Sequence, residues 1–222
     1  MTIWQTVIRS IYNYTFKKES DLEHYYNNKY PKSAKLYSGR ALPDGEKLKI
    51  DVRNFYTPID VTLPKINHTL LNFDDIARTT LHYVHKNIEY TTDKTQVGLP
   101  EFWMFAFETM HTKKGDCEDG AILIANILLK SGIPYWRIRI MAGDVKIDSS
   151  TGGHAYCCYL SDKDNKWYVL DWCYYYTESN SWLSWQDAKR YTDVWFSFNT
   201  KYCFSNDKLD RENIDNGDNI ND

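Results

Sequence analysis

The 222-residue chain is defined first by what it lacks. No apolar run approaches the ~20 residues that a membrane span requires. Met1-Thr2-Ile3-Trp4-Gln5-Thr6 has no charged segment leading into an apolar one, so it does not read as a signal peptide. A soluble, cytoplasmic protein with no membrane partner is therefore expected. Basic residues number 27 against 30 acidic ones and form no stripe, which excludes nucleic acid as an expected partner. Cysteine is sparse and odd in number: Cys117, Cys157, Cys158, Cys173 and Cys203. With no secretory context, a disulfide framework is not expected. No Cys-x-x-Cys pair or His/Cys cluster at zinc-ligand spacing occurs, so no structural zinc is expected either. Free thiols are the default, and the question becomes whether one of them is a nucleophile.

Aromatic residues are plentiful, at 16% of the chain with 18 Tyr and eight Trp. With 42% apolar residues this suffices for a packed core, and the polar ends of Tyr and Trp suit half-buried groove walls. The spacing of Ile3, Trp4, Val7, Ile8, Ile11 and Tyr12 predicts helix within the first thirty residues, closed by Pro31. From Lys32 to Lys65, Gly39, Pro43, Gly45, Pro58 and Pro64 break the chain into strands and turns, so residues 1–70 read as an arm. Residues 71–204 read as the core and 205–222 as an acidic flexible tail.

Within the core, Asn72-Phe73-Asp74-Asp75 starts a helix running from Ile76 to Asn87. A second helix is predicted from Pro100 through Met110, because proline suits a first helical turn. A third follows Asp116, a candidate N-cap with Asp119 three residues on, and ends at Gly132. Its apolar residues cover most of its circumference, which predicts burial. Trp136, Ile138 and Ile140 alternate with polar neighbours as in a half-exposed strand. Two more strands, His154–Leu160 and Trp167–Trp172, flank the polar turn Ser161–Lys166 and predict a hairpin. The Trp-rich stretch Ser181–Phe198 reads as a helix plus a packing strand. Helices first and antiparallel strands afterwards make an α+β fold.

The chemistry gathers on three residues. Cys117 lies in the first turn of the buried helix, where unpaired N–H groups favour thiolate and can hold an oxyanion. Asp116, Glu118 and Asp119 oppose this, since their charges raise a neighbouring thiol pKa. His154 and Asp171, on paired strands, stand diagonal or directly opposed depending on the turn type or a bulge, and either way fall within side-chain reach. Such a carboxylate fixes the imidazole tautomer and stabilises the imidazolium.

Gly115-Asp116-Cys117-Glu118-Asp119, Gly153-His154-Ala155-Tyr156 and Val169-Leu170-Asp171-Trp172 resemble the signature blocks of the transglutaminase-like superfamily. The nearest likeness is to its bacterial cysteine-proteinase branch. The resemblance implies a papain-like core with the nucleophile helix packed on an antiparallel sheet. It implies Cys117 as nucleophile, His154 as base then acid, and Asp171 as orienter, acting on a protein or peptide substrate. The backbone N–H of Cys117 would hold the oxyanion, with Trp103, Trp172 and Gly153 as further oxyanion or groove candidates. No cofactor is expected. Some relatives bind calcium beside the nucleophile, for which Asp116, Glu118 and Asp119 are the candidates. Peptide or amide hydrolysis is the leading reading. Its alternatives are transfer to an amine, or a catalytically silent binding module, virion-associated if the chain is phage-encoded.

Overall fold

The computed structural model describes residues 19–30, 32–33, 35–42, 44–67, 72–174, 183–185 and 187–205. The helical pattern expected over residues 1–18, Pro31 and the acidic tail after Ser205 lie outside them. The chain runs through α1 (Glu19–Lys29), β1 (Lys32–Ser33) and the hairpin β2 (Tyr37–Ala41) and β3 (Lys47–Asp51). Next come α2 (Phe73–Asn87), β4 (Glu89–Tyr90), the short α3 (Asp93–Gln96), α4 (Ala106–Thr112), β5 (Lys114–Gly115) and α5 (Cys117–Lys130). The strands β6 (Ile138–Ile147), β7 (Ser150–Leu160), β8 (Trp167–Leu170), β9 (Leu183–Ser184), β10 (Tyr191–Phe198) and β11 (Cys203–Ser205) complete it. This is the α+β class expected from the order of elements.

Seven strands form one antiparallel sheet in the order β1-β11-β10-β6-β7-β8-β9. Helix α5 packs on β6 and β7, and Ile122, Leu123, Ile124, Ile127 and Leu128 are fully buried. Each such side chain contributes ~1.5–3 kcal/mol of burial, which fixes the helix whatever its intrinsic propensity. Ile140, Ala142, Cys157 and Tyr159 meet the helices on one face. Met141, Tyr156, Cys158 and Val194 pack with Trp167, Trp185 and Tyr191 on the other. The lead-in segment joins the helix-side core through Val52 and Phe55. Buried Asn126 ties that segment to α5, donating to Phe55 O at 2.9 Å and accepting from Thr57 N–H at 2.5 Å.

Three expected elements are corrected. The helix foreseen from Pro100 begins only at Ala106. The N–H groups of Phe102, Met104 and Phe105 donate to the carboxylates of Asp93, Asp119 and Glu108, so residues before Ala106 have their hydrogen bonds taken out of any helical ladder. The half-exposed strand at Trp136 is a 3-10 turn, Tyr135–Arg137. Strand β6 starts at Ile138 and is buried on both sides through Gly143, because each face of the sheet carries its own apolar cluster. Between Leu183 and Phe198 the described residues contain strands β9 and β10 and no α-helix.

Candidate active site

The hairpin β7–β8 pairs Cys157 with Leu170 and Cys158 with Val169, which carries Asp171 just past the end of β8 toward His154. His154 Nε2 lies 2.7 Å from Asp171 Oδ2, with both side chains buried. The same Oδ2 accepts the Tyr191 hydroxyl at 2.7 Å, and Oδ1 accepts the Cys173 N–H at 3.0 Å. Three donor atoms thus fix the carboxylate, so neither of its buried oxygens is left without a partner. Gly143 stands opposite His154 on β6. A Cβ there would lie 2.0 Å from Asp193 O, so only glycine lets β10 approach closely enough to deliver Tyr191.

Cys117 opens α5 and is half-buried. Its sulfur donates to Glu118 Oε2 at 3.1 Å, and the Ala155 N–H, one residue past His154, reaches it. Burial, then the charges of Asp116 and Cys173, push this thiol well above its ordinary value. Among the described residues no hydrogen bond joins Cys117 to His154; the thiol proton is directed to Glu118. The indole of Trp172 lies on Gly120, near the start of α5. A Cβ at that glycine would sit 1.8 Å from Trp172 Nε1. His85, at the end of α2, holds the Trp172 carbonyl through Nδ1 at 3.3 Å.

Five carboxylates crowd beside the thiol. Asp93, Glu101 and Glu118 form one group, Asp93, Asp116 and Asp119 another, with carboxylate oxygens within 4.8 Å inside each. Burial is the first cause raising every one of them, and repulsion from neighbouring carboxylates adds to it at Asp93, Glu101, Glu118 and Asp119. Asp93 and Glu101 are each pushed up to about 7. Asp119 completes half of the expected cap by accepting the Asp116 N–H at 3.2 Å. The Asp116 Oδ1 and Glu118 Oε1 atoms are buried with no hydrogen-bond partner. Orphaned buried oxygens in an all-carboxylate cluster fit a hard divalent cation such as calcium, which takes six to eight oxygens.

Of the residues named from sequence, the structure brings together His154 and Asp171, and the Cys117 sulfur meets the N–H of Ala155, the residue after His154. Trp103 is buried in the core against Phe55, Phe196 and Phe198, and its indole N–H is engaged by Glu101 Oε1 at 2.5 Å. That hydrogen bond removes it as an oxyanion donor in this arrangement. Trp172 is also buried, and Gly153 is exposed on β7. Sequence reasoning missed Tyr191, Cys173, Asp93 and Glu101. Cys173, two residues beyond Asp171, was the one with a signal in plain view. The others come from segments that only the fold brings in.

A family model described as a transglutaminase-like domain matches residues 62–197, more than half of the chain. Among solved structures, Legionella pneumophila LapG is similar with a TM-score of 0.51 and 18% identity, over 71% of this chain and 78% of that one. Its EGTA-treated form gives 0.51 and 17%, over 68% and 73%. Its calcium-bound form gives 0.50 and 18%, over 68% and 75%. At such identity the likeness shows a shared fold. A search of curated proteins finds no match. The family-model match, together with a fold shared with a bacterial protein, places this chain in the transglutaminase-like family.

Proposed function

We propose that the protein is a cysteine-dependent hydrolase of peptide or amide bonds, working through an acyl-enzyme on Cys117. The observation that supports this most is the buried 2.7 Å bond between His154 and Asp171, on a strand whose next residue, Ala155, turns its N–H to the thiol at the start of α5. His154 takes the thiol proton, and the sulfur attacks the substrate carbonyl. The backbone N–H of Cys117 faces the developing oxyanion. Collapse expels the amine, which receives the proton from His154, and leaves a thioester. Water, deprotonated by the same imidazole, releases the acid and restores the thiol. Asp171 stabilises the imidazolium through both half-reactions, and Tyr191 is a positioning residue that holds Asp171 at the shared oxygen.

The resting thiol points at Glu118, so the reaction requires its proton to move to His154 instead. Asp93, Glu101, Asp116, Glu118 and Asp119 are the residues that would hold calcium. A bound ion would neutralise the cluster and remove the like-charge cause that raises the Cys117 thiol.

The test is competitive alkylation of the calcium-loaded protein by iodoacetamide, read peptide by peptide, beside cleavage of a peptide library. Cys117 should react far faster than the other four thiols, and Cys117→Ala should cleave nothing. Equal labelling of all five with no cleavage would mean a silent module.

A further inference from the structure

We infer that His154, Asp171 and Cys173 form a soft-metal site that takes Zn2+ and, when filled, shuts down the imidazole. A ring nitrogen of His154, a carboxylate oxygen of Asp171 and the sulfur of Cys173 lie within 4.8 Å of one another. The tether is local: the Cys173 N–H bonds Asp171 Oδ1 at 3.0 Å, and this two-residue loop turns the thiol back toward the carboxylate. Nitrogen, sulfur and oxygen donors together are the set that zinc accepts in tetrahedral sites, with a fourth position left for water. Calcium and magnesium do not take such ligands. His154 and Asp171 are buried and already fixed by each other, and Cys173 is a partly buried free thiol beside them.

The two metal sites therefore differ in kind although they are neighbours. The carboxylate cluster at the mouth of α5 is all oxygen, whereas this one turns on a thiol and an imidazole. Binding exchanges the Cys173 proton for the ion: Zn2+ plus the thiol gives the zinc thiolate and H+, with no oxidation. Zinc-ligand spacing is absent from the linear sequence because the ligands come from the facing strand β7 and the segment after β8. The regulatory part of this inference rests on the proposed role of His154. The binding part does not.

The experiment uses the full chain with excess calcium present, so that the carboxylate cluster is occupied. Zinc chloride is titrated against a chromophoric zinc indicator in wild type, Cys173→Ser, Cys173→Ala and Cys117→Ala. Cobalt(II) replaces zinc in a parallel series read by its thiolate charge-transfer absorption. Wild type should take up one zinc, and the Cys173 variants should bind at least ~10-fold more weakly and lose the cobalt–thiolate band. Cys117→Ala should keep both. Folding of each variant is checked by circular dichroism, and agreement between the Ser and Ala changes guards against a local collapse. Unchanged zinc binding in folded Cys173 variants, or loss of the band in Cys117→Ala alone, overturns the site. If wild type binds zinc through Cys173 yet cleaves no substrate, the catalytic reading fails and the site stands. If it cleaves substrate but takes no zinc, the reverse holds.

Discussion

The two ends of the site follow opposite rules. At the hairpin, Asp171 has every charge answered: His154 and Tyr191 meet one oxygen and the Cys173 N–H meets the other. At the mouth of α5, five carboxylates face one another, and two buried oxygens have no partner at all. In the first region both oxygens of the carboxylate already have donors from the chain itself. In the second, burial and crowding raise every carboxyl, and a divalent cation is the proposed partner for the orphaned oxygens. The difference teaches that orienting a base needs fixed neutralising contacts, whereas a cluster of like charges stores a requirement for a counter-ion.

The comparison breaks first at the thiol. Cys117→Ala should lower cleavage by about four orders of magnitude or more while zinc-free folding is retained, as measured by single-substrate kinetics and circular dichroism. Next, Asp171→Asn keeps the size of the side chain but removes the charge that stabilises the imidazolium. We expect a loss of about 10^3-fold or more in kcat, with KM little changed. A loss confined to KM would mean that Asp171 serves binding instead of the base.

The other half is sharpened by pH. In the metal-free protein Asp93 and Glu101 release their protons near pH 7, whereas the unfolded chain releases them near the ordinary carboxylate values of ~4. Between those values the unfolded state binds fewer protons, so stability falls as pH rises from about 4 to 7. Calcium should cancel that fall and stabilise by ~3 kcal/mol at a hundredfold excess over its Kd. Thermal unfolding at pH 5 and pH 8, with chelator and with calcium, should show the two curves diverging upward in pH. Parallel curves would remove the counter-ion argument. The smallest effect belongs to Tyr191→Phe, which deletes one donor to a charged oxygen. It should cost ~1–3 kcal/mol in kcat/KM, mostly in kcat, and move the acid limb of the pH–rate profile. A variant with wild-type kcat and an unmoved profile would make Tyr191 structural only.

Much of this was legible in the chain. Asp116 before Cys117, an all-round apolar helix and Gly132 after it gave α5 its limits, since caps and burial are local and periodic properties. The polar turn between two β-rich runs set the register that joins His154 to Asp171. What escaped notice depends on distance. Asp93 and Glu101 precede the nucleophile by one to two dozen residues, and nothing in their neighbours marks them as ligands. The carboxylates of Asp93, Asp119 and Glu108 also explain the mistaken helix, because they capture backbone N–H groups that a helix from Pro100 would have used. Tyr191 lies on β10, two strands away from β7 in the sheet, and only the close approach at Gly143 brings it in. Trp136 failed for a simpler reason: a three-residue turn can imitate alternation.

The tip of the β7–β8 hairpin is held from far away. Asp74, in the first turn of α2, accepts the Tyr159 hydroxyl at 2.9 Å and the Ser161 hydroxyl at 3.0 Å. Strand pairing tolerates no half-steps, and a slip of one residue would turn Asp171 to the wrong side of the ribbon. The start of a helix eighty residues upstream thus acts as a register lock, and damage there would surface as a misaligned base in a molecule whose core is otherwise intact.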